Sequence, residues 1–225
     1  MASWIVHLRV ADRLLDRIAG LEQTPFIVGN IGPDCGAITD VPGEYDPPNR
    51  ITHYSPGGRK RDCQTWRFRD EYLPDPEPGR HSFYLGYYVH LWVDRLWFER
   101  IFRPIETAHA AYFAEDPMRV FSMKQDWYDQ DARFLRDHPA FRAFRMLCAV
   151  QDFPNTYLDF YGPDVFTRQI RYIAQFYAPT DRNLEREYRF LDQPAMDGFV
   201  DGAAADILQT LQQEGLDSVP AQKQL

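Results

Sequence analysis

The sequence predicts an all-α fold, a multihelical bundle interrupted by one long irregular loop near residues 28–62. Apolar residues recur at helical spacing along most of the chain, and prolines at 104, 117, 139, 154, 163, 179 and 194 cut that pattern into helix-length pieces. No stretch alternates with period two for long enough to build a sheet. A chain of 225 residues fits one domain and can bury a sizeable core. Residues 1–215 are therefore read as a single helical domain, followed by a polar tail at 216–225.

The first helix is marked by Trp4, His7, Val10, Ala11, Leu14 and Ile18 on one face, with Asp12, Arg13, Asp16 and Arg17 opposite. It ends near Gly20. From 28 to 62 the text turns rich in Gly, Pro, Asn and Asp, as an irregular excursion should. Loops of that length inside a compact domain are usually functional or disordered. A break at "LPDPEPGR", 73–80, leaves the stretch from Asp75 to Arg80 to start the next helix. That helix contains "FYLGYYVHLWVDRLW", 83–97, in which Phe83, Gly86, Tyr87, His90, Asp94, Trp97 and Ile101 share one face. Beyond Pro104 the periodicity gives helices over 105–115, 118–136, 139–151, 164–177, 184–192 and 195–214.

Net charge is −8 with a pI near 5.2, and the basic residues are scattered, "GGRKR" at 57–61 being the densest run. That distribution offers no footprint for a long nucleic acid. Cys35, Cys63 and Cys148 are odd in number, far apart and without a CxxC pair, which suits a reducing compartment, so a cytoplasmic location is expected. Neither a signal peptide nor a membrane span is read in the sequence, and no integral membrane association is expected.

His90 and Asp94, four apart on an apolar helix face, pose the functional question. A carboxylate buried there needs a cation, a hydrogen-bond network or a metal. Residues at i and i+4 can reach one ion, and helical bundles commonly build metal sites from such pairs. His7, Asp34 and His53 are the candidates for further ligands. Each also has a plainer reading. His7 reads as a hydrogen-bonded core histidine, Asp34 as a turn residue, His53 as an exposed loop histidine and Asp94 as the partner of a histidine or arginine. His109, Asp126 and Asp129 are weaker candidates, the two acids reading first as a solvated helix face. Trp4, Tyr54, Tyr88, Trp92 and Trp97 lie close to these positions in sequence, as core or as the walls of a binding site.

The segments "WIVHLRVADRLLDRI", "FIVGNIGPDCG", "ITHYS" and "FYLGYYVHLWVD", in that order, resemble the bacterial zinc-dependent phospholipase C family, whose superfamily includes the fungal single-strand-specific nucleases. The resemblance covers roughly residues 4–102. It implies a Zn2+ cluster held by His7, Asp34, His53, His90 and Asp94, with Asp94 bridging two ions. It also implies that Asp34 doubles as the catalytic residue that orients or deprotonates the attacking water. Two departures stand out. The secreted enzymes begin with a Trp whose terminal amine binds zinc, whereas Trp4 is internal, so that ligand is missing unless Ala2 or a processed terminus supplies it. They also carry a His six residues beyond the Asp, where this chain has Arg100, and a later His-x3-acid pair. Two ions are therefore expected, rather than three.

The expected activity is metal-dependent hydrolysis of a phosphoric ester, on a small phosphodiester or a phospholipid head group. A nucleotide phosphodiesterase or nuclease is one alternative. A non-catalytic scaffold with a degenerate metal site is the other.

Overall fold

The structure, a computed structural model, describes residues 2–41, 44–74, 76–178 and 183–219. It is an all-α multihelical fold whose one sheet, among the described residues, is a pair of two-residue strands. Helix α1 (Trp4–Leu14) is capped by the Ser3 hydroxyl, which accepts the Val6 N–H at 3.4 Å. Helix α2 (Gln23–Ile31) runs into a single 3-10 turn, Gly32–Asp34. Strands β1 (Ala37–Ile38) and β2 (Tyr45–Asp46) pair antiparallel and lead to α3 (Asn49–Thr52) and α4 (Thr65–Tyr72). Helix α5 (Pro78–Trp97) continues through a π-helical turn, Phe98–Phe102, into α6 (Arg103–Ala108) and α7 (Ala110–Glu115). Helices α8 (Val120–Asp137), α9 (Arg142–Ala149), α10 (Val165–Phe176) and α11 (Gln193–Gln213) complete the order.

Helix α5 is the axis of the core. The whole predicted face is buried, from Phe83 through Tyr87, His90 and Asp94 to Trp97. Helices α1, α2, α4 and α11 pack around it. The contact with α2 is unusually close because a glycine from each helix lies at the crossing. A Cβ on Gly29 would sit 2.0 Å from the Phe83 carbonyl oxygen, and one on Gly86 would sit 2.0 Å from that of Phe26. Asn30 then reaches across to donate to the Gly86 carbonyl at 3.2 Å.

Several sequence expectations need correction. The irregular excursion does not begin at residue 28. Residues 23–31 are helical, and the Gly and Asn that read as loop formers serve the α2–α5 crossing instead. The excursion starts at Cys35, and α3 interrupts it. Helix α4 was not anticipated. The segment expected as a helix at 105–115 starts at Arg103 and breaks at His109. Residues 184–192 are irregular, because Arg186 reaches into the core and pairs with Asp126 at 2.7 Å and Asp129 at 2.9 Å, and the Phe190 N–H donates to Asp126. Residues 216–219 are docked rather than loose: Ala19 N–H donates to the Asp217 carbonyl and Val219 N–H to that of Ala19. Asp75, the break expected at Pro179 and residues 220–225 of the expected tail lie outside the described residues. Cys35 and Cys63 are buried, and Cys148 is partly buried. Among the described residues, no helix is long and apolar enough to cross a membrane.

Candidate metal centre

Four separate segments bring His7, Asp34, His53, His90 and Asp94 together. Helix α1 presents His7 from its buried face. The 3-10 turn that ends α2 presents Asp34, and the Tyr161 hydroxyl holds that turn by donating to the Gly32 carbonyl at 2.9 Å. Helix α3 ends at His53, where Tyr54 takes a left-handed φ of 50° that turns the chain outward again. Helix α5 supplies His90 and Asp94 one turn apart.

The carboxylate of Asp94 is divided between two groups. Its Oδ1 accepts the Ala2 backbone N–H at 3.0 Å and lies 3.4 Å from His7 Nε2. Its Oδ2 lies 3.5 Å from His53 Nε2 and 3.6 Å from His90 Nε2. Asp34 Oδ1 closes the second group, 3.3 Å from His53 Nε2 and 3.9 Å from His90 Nε2. His7 and His90 stack with parallel rings, centroids 3.7 Å apart. Two overlapping sets have ligand atoms close enough to share an ion, namely His7, His90 and Asp94, and Asp34, His53 and His90.

Neighbouring groups orient the rings. His90 Nδ1 is 2.7 Å from the Asn30 carbonyl, which can only accept, so the proton sits on Nδ1. That leaves Nε2 to face the carboxylate oxygens of Asp34 and Asp94, where a metal ion bound between them would find its ligands. His53 Nδ1 bonds the Thr52 hydroxyl at 2.8 Å, and the Tyr87 hydroxyl donates to the Thr52 carbonyl. Burial first, and then the charge of His90, hold the His7 imidazole down at about 4. His7 is thus neutral near pH 7, and neither ring nitrogen makes a well-formed hydrogen bond. Buried imidazoles beside carboxylates are the donor set of a metal site. These residues fit a metal. Asp34, His53, His90 and Asp94 Oδ2 would hold one ion, and His7 with Asp94 Oδ1 would contribute to a second.

A pocket of about 480 Å³, its mouth included, opens over this cluster. Asp34 is the only one of the five residues in its wall, alongside Ala2, Ser3, Trp4, Tyr45, Asn49, Thr52 and Tyr128. Of the aromatic residues singled out in the sequence, Trp4 alone reaches this pocket. Tyr88 and Trp97 are core, and Tyr54 is buried with its hydroxyl on Glu71. Tyr45 and Tyr128 escaped sequence reading, since nothing local distinguishes them from other surface tyrosines. Burial, then the nearby Asp131 and Asp34, push the Tyr128 phenol up to about 12, so it stays protonated.

The weaker candidates lie elsewhere. Asp126 and Asp129 are buried against Arg186 instead of forming a solvated face, and His109 packs on the Phe190 ring.

A further buried carboxylate lies close to α1. Asp131 accepts the Tyr177 hydroxyl at 2.7 Å, and burial raises its carboxyl to about 7, against the opposite pull of Ser3, Tyr177 and Arg9. A folded-state pKa above the unfolded value means that stability is lost as pH rises from about 4 through 7. Removing the group should therefore help most at high pH. Asp131→Asn is expected to gain about 4 kcal/mol relative to wild type between pH 4 and pH 8. Urea titrations of both chains in chelator across that range measure the gap, and a gap that does not change with pH rules the assignment out.

Comparison with protein-family models, with curated proteins and with solved structures returns no match.

Proposed function

We propose that this chain is a zinc-dependent hydrolase of phosphodiesters, acting on a small soluble diester or a phospholipid head group. The supporting observation is the divided carboxylate of Asp94, one oxygen toward His7 and the other toward His53 and His90. A mixed set of buried imidazoles and carboxylates suits zinc better than magnesium or calcium, which take oxygen ligands. The order of the four contributing segments, and their likeness to the phospholipase C family, support the same reading.

Zinc bound here would supply Lewis acidity toward phosphoryl oxygens and lower the pKa of a bound water toward about 7. The chain's own residues then divide the work. Asn30 and Thr52 fix the rings of His90 and His53 so that Nε2 of each faces the carboxylates. Asp94 is fully buried and holds position, whereas the Asp34 side chain is 10% exposed at the pocket floor. Asp34 is thus the carboxylate able to orient an incoming water and accept its proton. Among the described residues no lysine or arginine lines the pocket, so an anionic diester would depend on the metal for charge neutralisation.

Metal analysis by mass spectrometry, on protein purified without added metal or a histidine tag, is paired with turnover of bis(p-nitrophenyl) phosphate. The expected result is about two zinc ions per chain and turnover that a chelator abolishes and zinc restores. A chain that takes up no zinc when it is offered, and turns nothing over, would sink the proposal. Release of choline or of a mononucleotide from natural diesters then separates a phospholipase from a nuclease.

A further inference from the structure

The pocket over the His–Asp cluster must satisfy the oxygens of any phosphate group that enters it, yet among the described residues its wall offers no cationic side chain. Hydrogen-bond donors are then the chain's means of stabilising charge on those oxygens. The indole N–H of Trp4 is sealed in the core and does not face the pocket, so the neutral polar side chains left in the wall are Ser3, Tyr45, Asn49, Thr52 and Tyr128. Three are already engaged. Ser3 caps α1 and bonds Asp131, Thr52 bonds the His53 ring, and Asn49 reaches the Gly58 carbonyl at 3.5 Å. The hydroxyls of Tyr45 and Tyr128 hydrogen-bond to no described residue.

These two tyrosines are mounted differently. Tyr45 stands on a two-residue strand of an exposed hairpin. Tyr128 rises from the middle of the 18-residue helix α8, half-buried, its ring packed edge-on against Phe176 at 5.4 Å. A donor on a rigid element needs no reorganisation when charge develops, which is the condition for stabilising a transition state.

We propose that the Tyr128 hydroxyl donates a hydrogen bond to a non-bridging oxygen of the bound phosphate group, making Tyr128 a catalytic residue. The inference rests on the hydrolase reading above. The phenol keeps its proton throughout. Its effect is electrostatic and grows as negative charge accumulates on the phosphoryl oxygens.

Tyr128→Phe keeps the ring and its contact with Phe176 while deleting the donor. The zinc-loaded full-length variant is compared with zinc-loaded wild type in turnover of bis(p-nitrophenyl) phosphate, affinity for inorganic phosphate by calorimetry, and zinc content. In Tyr128→Phe, kcat is expected to fall about 100-fold and phosphate affinity about 10-fold, with zinc content unchanged. An active wild type together with a Tyr128→Phe variant of undiminished kcat and phosphate affinity overturns the proposal and leaves the hydrolase reading standing. Loss of zinc or of thermal stability alongside activity assigns Tyr128 to packing and overturns it as well. A zinc-loaded wild type that neither turns over nor binds phosphate overturns both.

Discussion

Asp94→Asn is expected to lower phosphodiester turnover at least about 1,000-fold and to leave no more than one metal ion on the chain. The reasoning starts from the two sides of one carboxylate. Oδ1 faces His7 and the Ala2 N–H, and Oδ2 faces His53 and His90. Asparagine matches the shape and keeps an oxygen for the Ala2 N–H, so the local fold has what it needs. What it lacks is the second anionic oxygen and the charge. A side chain that presents one neutral oxygen and one NH2 group cannot serve both groups of ligands. Metal stabilisation of transition-state charge is worth several kcal/mol, and each 1.36 kcal/mol is tenfold in rate, which gives the magnitude. Three readouts check it: zinc per chain, turnover, and the shift in melting temperature on chelation. Wild type should melt lower when zinc is removed, because a ligand bound only to the folded state stabilises it by mass action. The variant should show a much smaller shift. Full zinc content with undiminished turnover in Asp94→Asn would disprove the bridging role.

How far the sequence could be read depends on the range over which each feature is determined. The buried face of α5 was legible because helical periodicity is local, and every residue assigned to it from Phe83 to Ile101 is buried. His90 and Asp94 were legible for the same reason, as polar residues on an apolar stripe. That Asp34 and His53 would join them could not follow from spacing. It depends on α2 ending in a 3-10 turn and on the left-handed residue after α3, so the sequence offered those two positions only as candidates, which the family resemblance then singled out. Helix α2 was partly hidden by its own packing. Gly29 is unfavourable in an isolated helix, and its benefit appears only when Phe83 of α5 approaches to a distance no side chain would allow. The segment 184–192 erred in the opposite direction. Its local pattern suits a helix, but Arg186 satisfies two buried carboxylates 57 and 60 positions earlier in the sequence, and the backbone follows it. Tyr128 carried no signal at all, since its importance lies in which hydroxyls around it are already bonded.

The α2–α5 crossing also makes the fold and the site inseparable, and Gly86→Ala tests this. In an ordinary exposed helix that change stabilises by up to about 1 kcal/mol. Here the new methyl would lie 2.0 Å from the Phe26 carbonyl oxygen and 3.0 Å from the Asn30 nitrogen, both backbone atoms that no rotamer change can move. The helices must separate. Overpacking of a tight core costs about 1–3 kcal/mol, and a clash with two rigid backbone positions of the facing helix belongs at or above the top of that range. The sign is therefore reversed, to a loss of about 3 kcal/mol or more. The consequence reaches the site because the displaced groups hold it. Asn30 donates to the Gly86 carbonyl and accepts from His90 Nδ1, and Asp34 follows three residues after α2. Moving α2 away from α5 thus loosens His90 and carries Asp34 away from His53. Zinc affinity should fall together with stability, even though residue 86 touches no ligand atom of the cluster. Gly198→Ala on α11 is the matched control: its Cβ would meet no heavy atom within 4 Å, and the same substitution should be neutral or stabilising. Urea unfolding of the zinc-free variants gives the two signs, and zinc titration of the folded chains gives the coupling. If Gly86→Ala proved as stable as Gly198→Ala, the close crossing would be wrong. If it lost stability but bound zinc as wild type does, the crossing would stand and its control of the metal centre would not.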